Sequence, residues 1–174
     1  MLPHDVFFGD LQLSRELDGI TVSHRIANSP PEELPVHTHT DAHFVLVTSG
    51  GYVSSAIGDA HPRTSFIYNP PGTRHRDHFW HGTGSFFTVS LSSARLSQLL
   101  DTARSAPVAV HLRNERALGL ASALLMECVR WNSSSQLKAE SLSLELLAET
   151  VDSPLPSRTS PPPWLRAACE LIRD

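Results

Sequence analysis

The stretch VHTHTDAHFVLVTSG, residues 36–50, places three histidines directly ahead of an apolar run. His37, His39 and His43 all stand at odd positions, and residues two apart in an extended strand point to the same face. Val45 and Val47 continue that face, whereas the intervening residues of the run point to the other. Both faces are therefore apolar beyond the histidines, which predicts a central strand of a β-rich fold.

A second stretch, NPPGTRH at residues 69–75, supplies a fourth histidine, His75. The preceding Pro70-Pro71-Gly72 is a turn signal that reverses the chain and brings His75 opposite the first three. Histidine is the commonest side-chain ligand of transition metals, and the neutral ring binds at ordinary pH. We therefore predict a metal site formed by His37, His39, His43 and His75. The alternative is a pocket of the same shape that holds no metal.

Short apolar or alternating runs recur through the first ninety or so residues and are separated by Gly, Pro, Ser, Asn and Asp. This spacing is typical of an all-β sandwich or barrel. The runs are FFGDLQLSREL, GITVSHRIA, AHFVLVTSG, GYVSSAIG, TSFIYN and GSFFTVSLS.

Beyond residue 92 the apolar period becomes helical. Three amphipathic segments follow, SSARLSQLLDTA, NERALGLASALLMECVRW and QLKAESLSLELLAETV, the second with Asn114 as its expected N-cap. A short polar turn joins the last two, which predicts an antiparallel helical hairpin within residues 93–152. Two roles stay open for this hairpin: it covers one face of the β domain, or its outer faces form a homodimer.

The end of the chain changes composition again. Residues 153–163 are rich in proline and serine without periodicity and predict a linker. Residues 164–174, WLRAACELIRD, form an amphipathic pattern that begins directly after proline, as helices often do.

Composition limits the function classes. The 174 residues fit one domain, and 14 Lys and Arg against 18 Asp and Glu give a net charge of −4 without a dense basic patch, so this stretch alone is a poor DNA binder. The two cysteines, Cys128 and Cys169, are expected to be apolar side chains in a reducing compartment. Without a signal segment or an apolar run of membrane-spanning length, we expect a cytoplasmic protein and no membrane partner.

The two histidine stretches resemble the two motifs of the cupin superfamily, which are small β-barrels that often hold a metal. His37, His39, His43 and Gly50 stand at the positions of the first motif. Pro70, Gly72 and His75 match the second. The resemblance implies a mainly β fold over residues 1–92, namely a cupin-type β-barrel (a double-stranded β-helix or jelly roll), followed by the helices.

The chain departs from the cupin pattern in ways that bear on the metal. His43 replaces the usual glutamate, Pro31 and Thr64 stand where each motif often begins with glycine, and Phe79 replaces a terminal asparagine. Loss of the glutamate removes a negative charge from the ligand set. We therefore expect one transition metal, with zinc first and nickel or copper as alternatives.

The order of barrel, hairpin, linker and closing helix resembles the N-terminal part of AraC-type transcription regulators. That resemblance implies that residues 164–174 begin a DNA-binding domain with two helix-turn-helix units lying beyond Asp174. It also implies a homodimer formed through the helices and a small-molecule or metal effector. DNA is then a partner only through the domain beyond Asp174.

Two functions follow. The first is a metal-binding sensing and dimerisation domain of such a regulator, in which the metal is the sensed species, a structural clamp or the anchor of a small anionic effector. The alternative is a small metal-dependent cupin enzyme, such as a dioxygenase, isomerase or hydrolase. No catalytic residue is predicted, because Asp41, Asp77 and Glu33 are the nearby carboxylates and each is assigned to a loop or rim.

An effector pocket is predicted around the metal. Asp41 shares the parity of the first three histidines, so we consider it a carboxylate that orients an imidazole. The predicted pocket residues are Asp41, Val45, Phe66, Tyr68, Phe79 and His81. For the aromatic residues Phe66, Tyr68 and Phe79 the alternative is that they fill the barrel.

Overall fold

The computed structural model describes residues 1–57, 60–61, 66–99 and 108–151. This part of the chain is β-rich, with helices after the strands. The strands are β1 (Asp10–Leu17), β2 (Ile20–Ile26), β3 (Ala42–Ser49), β4 (Tyr52–Ser54), β5 (Ala60–His61), β6 (Phe66–Asn69), β7 (Asp77–Phe79), β8 (Ser85–Leu91) and β9 (Val110–His111). The helices are α1 (Ser93–Leu99), α2 (Glu115–Val129) and α3 (Ser135–Val151).

The strands form two antiparallel sheets. The larger sheet has the order β1-β2-β8-β3-β6-β9, and the smaller has the order β5-β4-β7. The strand that follows the first histidine stretch, β3, lies between β8 and β6, and its first six residues are buried. The prediction of a central strand is therefore confirmed.

The two faces of β3 pack into different apolar clusters. Phe44 and Leu46 face the cluster that includes buried residues of α2 and α3. Val45 and Val47 face a second cluster, which the small sheet completes with Tyr52 and other side chains. The described part of the chain thus has three layers, in the order helices, large sheet and small sheet.

The helices α2 and α3 pack against each other and on the large sheet. Asn114 caps α2, because its Oδ1 accepts a hydrogen bond of 2.6 Å from the Ala117 N–H, as expected. The buried residues of α2 recur at helical spacing and face the sheet; they are Ala117, Ala121, Leu124 and Cys128. Ser135 donates to Glu127, and Asn114 donates to Glu149 at 3.1 Å, so each end of α2 contacts the opposite end of α3. Residues of both helices cover the large sheet.

Several predictions concern other parts of the chain. The linker at 153–163, the helix at 164–174, Thr64 and Cys169 lie outside the described residues. The homodimer remains a prediction. The domain boundaries, residues 1–92 for the barrel and 93–152 for the hairpin, also remain predictions. None of the described helices is long and apolar enough to cross a lipid bilayer.

Candidate metal centre

The two histidine stretches meet through their main chains. His37 and His75 form an antiparallel bridge, in which the His37 N–H donates to the His75 carbonyl at 2.8 Å and the His75 N–H donates back at 2.9 Å. The turn before His75 is closed by the Thr73 N–H, which donates to Pro70 at 3.2 Å. Gly72 has the positive φ of 76° that a type II turn requires at this position. The chain reversal predicted from the prolines is therefore present.

His39 is held between the turn and the beginning of the chain. Its carbonyl accepts a hydrogen bond of 2.9 Å from the Gly72 N–H. Leu2 forms a parallel bridge to His39 and exchanges hydrogen bonds with the residues on either side of it. Three separate segments therefore fix the main chain around the predicted ligands.

Three imidazoles converge on one point. One nitrogen from each of His37, His39 and His75 lies within 4.8 Å of the other two. The Nδ1 of His37 is 3.0 Å from the Pro35 carbonyl, and the Nδ1 of His75 is 2.9 Å from the Thr73 carbonyl. An N–H at Nδ1 donates in each case, so Nε2 is left as a lone-pair donor.

The third ring completes the fit. The Nε2 of His39 is buried without a hydrogen-bond partner. The pKa of His39 is lowered to about 3, mainly by burial and to a smaller extent by the nearby His75 and His37. The ring is therefore neutral at ordinary pH, which is the form that binds metal. The three residues fit a transition-metal ion.

His43, the fourth predicted ligand, does not belong to this group. Its ring centroid lies 4.4 Å from that of His39, so it packs against the site. Its Nε2 is 3.1 Å from Nδ2 of Asn69, its register partner on β6, and its Nδ1 is 3.4 Å from the Asp41 carbonyl. Both nitrogens therefore face protein groups. The structure brings together three of the four predicted histidines, because His43 already lies inside the regular strand.

A cavity of about 50 Å³ opens beside the three rings. This volume holds roughly three to five water molecules. Val45 and Phe79 were predicted to line a pocket, and both do. The lining residues are Phe7, Phe8, Ala27, Asn28, Ser29, Leu34, His37, His39, His43, Val45, Tyr52, His75, Asp77, His78, Phe79 and Phe86.

The other predicted pocket residues lie elsewhere. Phe66 and Tyr68 pair with Leu46 and Phe44, so they point to the helical side of the sheet and fill that core. The Asp41 carboxylate contacts His4 and accepts from the Ser93 N–H at 3.2 Å, and so does not orient a ligand imidazole. His81 lies in the 3-10 turn Trp80–Gly82, and its side chain is outside the described residues.

Two aromatic residues near the start of the chain were missed. The ring of Phe7 stacks on His39 with centroids 4.9 Å apart, and Phe8 meets the edge of His37 at 5.2 Å. The run that begins with these residues was assigned to the first strand, yet β1 begins only at Asp10. The signal was Gly9, whose φ of 152° separates Phe8 from the strand.

Asp77, which the sequence assigned to a loop or rim, lies on β7 and lines the cavity. The Oδ2 of Asp77 lies 3.7 Å from Nε2 of His75 and accepts a hydrogen bond of 2.7 Å from the Tyr52 hydroxyl. Burial and the charge of Asp77 raise the pKa of Tyr52 well above its ordinary value, so this hydroxyl keeps its proton. The Oδ1 of Asp77 is buried without a partner. Its odd position, two residues after His75, was the available signal.

Comparison with known proteins gives coarse likenesses only. No known family matches the sequence, and no curated protein is similar to it. A crystal structure from Ralstonia eutropha JMP134, provisionally described as a mannose-6-phosphate isomerase, is 24% identical; the match covers 51% of this chain and 93% of that one, with a TM-score of 0.38. The AraC-like transcriptional activator CuxR is 12% identical over 92% of this chain and 62% of its own, with a TM-score of 0.49.

Proposed function

We propose that this chain is a metal-binding, cupin-type sensing domain of an AraC-type transcription regulator, with one transition-metal ion held by His37, His39 and His75. The convergence of three nitrogens, each within 4.8 Å of the others, carries the proposal. Two of these rings are oriented by backbone carbonyls, which is how metal-ligating histidines are commonly held. His43, predicted as the fourth ligand, packs beside them.

The donor set supports the choice of metal. Neutral imidazoles suit zinc, copper and nickel better than ions that prefer oxygen. Zinc is the first candidate, and nickel and copper are the alternatives. A bound ion would act as a Lewis acid toward a small ligand in the cavity.

The cavity supports a small effector. Its walls are mainly aromatic or aliphatic, and its volume of about 50 Å³ admits only a few non-hydrogen atoms. A larger effector requires the wall to move. Phe7 and Phe8 belong to the part of the wall that lies outside the strands of the two sheets, as do Ala27, Asn28, Ser29 and Leu34.

A set of contacts links the site to the helical side of the fold. Asp41 lies between His39 and His43 in sequence, and its carboxylate accepts from the N–H of Ser93, the first residue of α1. The same carboxylate contacts His4, close to Phe7. Through Asp41, a shift of the His39 or His43 main chain on ligand binding would therefore be passed to α1 and to the segment around His4. A sensing domain needs such a connection between its ligand site and the rest of the fold.

Metal analysis of the purified chain tests the proposal. We expect about one zinc, nickel or copper ion per chain after incubation with each metal in turn and removal of the excess. Any affinity tag is placed after residue 174 and removed, so that its own histidines do not bind metal. A chain that stays free of all three metals contradicts the proposed function.

The alternative is a metal-dependent cupin enzyme, and one observation favours it. Asp77 places a carboxylate 3.7 Å from His75, where a general acid or base would act on a ligand in the cavity. The reading frame downstream of Asp174 separates the two functions. A continuation of about a hundred residues rich in helix and basic side chains supports the regulator, and a stop codon at this point favours the enzyme.

A further inference from the structure

The geometry points to Asp77, and not His43, as the fourth protein ligand of the metal centre. The site is then a three-histidine, one-carboxylate site in which the carboxylate comes from β7. This inference rests on the proposed function, because it requires that His37, His39 and His75 bind a metal.

The position of Asp77 fits a coordination shell. Its Oδ2 lies 3.7 Å from Nε2 of His75, the nitrogen left free by the bond from Nδ1 to Thr73. Donor atoms around a tetrahedral zinc with bonds of about 2.1 Å lie about 3.4 Å apart. The carboxylate therefore lies beside His75 at nearly the separation of two ligands. It stands just outside the group whose ligand atoms all lie within 4.8 Å of one another, which among the described residues contains the three histidines.

Charge in the cavity supports the same assignment. Among the cavity-lining residues in the described part of the chain, Asp77 is the one carboxylate, and neither lysine nor arginine is present. Three neutral imidazoles leave both charges of a divalent ion uncompensated next to apolar walls, which is costly. A carboxylate ligand would offset this charge, which a fourth imidazole would not.

The hydrogen bonding of Asp77 leaves one oxygen available. Oδ2 is anchored by the Tyr52 hydroxyl at 2.7 Å, whereas Oδ1 is buried without a partner. The side chain is only 13% exposed and lines the cavity. A buried carboxylate oxygen without a donor is uncommon in proteins, and a bound cation would supply the missing partner.

His43 has the opposite character. Its Nε2 faces the Asn69 amide and its Nδ1 faces the Asp41 carbonyl, so both nitrogens already have protein partners. Ligation by His43 requires loss of at least one of these contacts. Ligation by Asp77 requires the loss of none.

The experiment compares variants of the whole chain. Zinc affinity is measured by competition with a chromophoric chelator, and the visible absorption of the Co²⁺ form reports the ligand set independently of any activity. For Asp77→Asn we expect zinc binding weaker by about a hundredfold or more, beyond the 10–100-fold that loss of an outer contact typically costs, and a changed Co²⁺ spectrum. For His43→Gln, which keeps a side-chain amide facing Asn69, we expect an affinity within about threefold of the parent and the parent spectrum.

Asp41→Asn is the matched control, because Asp41 is a buried carboxylate near the same histidines that does not line the cavity. It is expected to keep the parent affinity and spectrum. Thermal unfolding of the metal-free forms checks that each variant folds. If Asp77→Asn does not fold, Asp77→Ser, which is smaller and uncharged, carries the same expectation.

The outcomes separate the two proposals. Unchanged affinity and spectrum in a folded Asp77 variant, or loss of both in His43→Gln alone, overturns the assignment of Asp77 and leaves the metal site intact. A parent chain that binds neither zinc nor Co²⁺ overturns the proposed function itself.

Discussion

His37 and His75, 38 positions apart in the chain, hold each other through their main chains, because the N–H of each donates to the carbonyl of the other. A hydrogen-bonded antiparallel pair places both side chains on the same face. Two of the candidate ligands are therefore positioned by backbone hydrogen bonds. Such preorganisation reduces the entropy that metal binding must overcome.

Removal of a central ligand should abolish tight metal binding. Loss of an outer contact typically costs 10–100-fold in metal affinity, so His39→Ala should weaken zinc binding by about a hundredfold or more. Chelator competition measures this change. His24→Ala is the control, because His24 contacts Thr48 and does not line the cavity; a comparable loss in this variant would contradict the assignment.

The two buried tyrosines should respond differently to loss of the hydroxyl. The Tyr68 hydroxyl is buried without a partner on the helical side of the sheet. Tyr68→Phe should therefore leave zinc affinity unchanged and keep or raise the free energy of unfolding, by up to about 1 kcal/mol. Urea unfolding and chelator competition give the two values. A weaker zinc affinity would place Tyr68 at the site after all.

Tyr52→Phe removes the donor to Asp77 instead. The variant should lose about 1 kcal/mol in the free energy of unfolding of the metal-free chain, because a buried carboxylate oxygen loses its partner. Urea unfolding measures this free energy, and Tyr68→Phe, measured in the same way, is the matched control. Equal stability of the two phenylalanine variants would speak against the contact.

The motif glycine at position 50 should not tolerate a side chain. Gly50 has a φ of 88°, and a Cβ there would lie 2.7 Å from the Thr83 carbonyl oxygen. Gly50→Ala should lower the free energy of unfolding by about 2 kcal/mol or more. Gly119→Ala is the matched control. Gly119 is an exposed residue of α2, and a Cβ there would meet nothing within 4 Å. It should raise stability by about 0.5–1 kcal/mol.

Cys128 should resist alkylation while the chain is folded. Burial raises the pKa of its thiol to about 12. Since the thiolate is the reactive form, only about one ten-thousandth of the thiol is ionised at pH 8, and the fraction rises tenfold for each pH unit. In a Cys169→Ser background, mass spectrometry after iodoacetamide treatment should show slow labelling at pH 8 and fast labelling in urea. Equal rates would contradict the burial.

Most of the large sheet was predictable, because its strands other than β9 are long enough to show a period. The alternation in β3 correctly separated Phe44 and Leu46 from Val45 and Val47. The strands β5, β7 and β9 have only two or three residues each, too few for a period to appear. Their pairing depends on contacts with distant strands.

The part of the site that could be predicted is the part in which sequence spacing alone decides which way a side chain points. His37, His39 and His75 follow from parity and a proline turn, and the structure gathers them. The position of His43 depends on its neighbour across β6, and a single sequence does not reveal strand register. Whether Phe66 and Tyr68 line the pocket or fill the core could not be decided either, because the side of the sheet that each faces is set by pairing with β3.

The alternation of side chains along β3 also restricts where insertions and deletions can occur in the sequence. Because successive residues of this strand serve the cavity and the helical core in turn, one codon inserted between His43 and Leu46 would exchange the two sets of side chains. With the insertion ahead of Phe44, phenylalanine would face the metal ligands, and the smaller Val45 would enter the helical core. Insertions and deletions in natural variants of this protein should therefore fall in the turns and be absent from this strand.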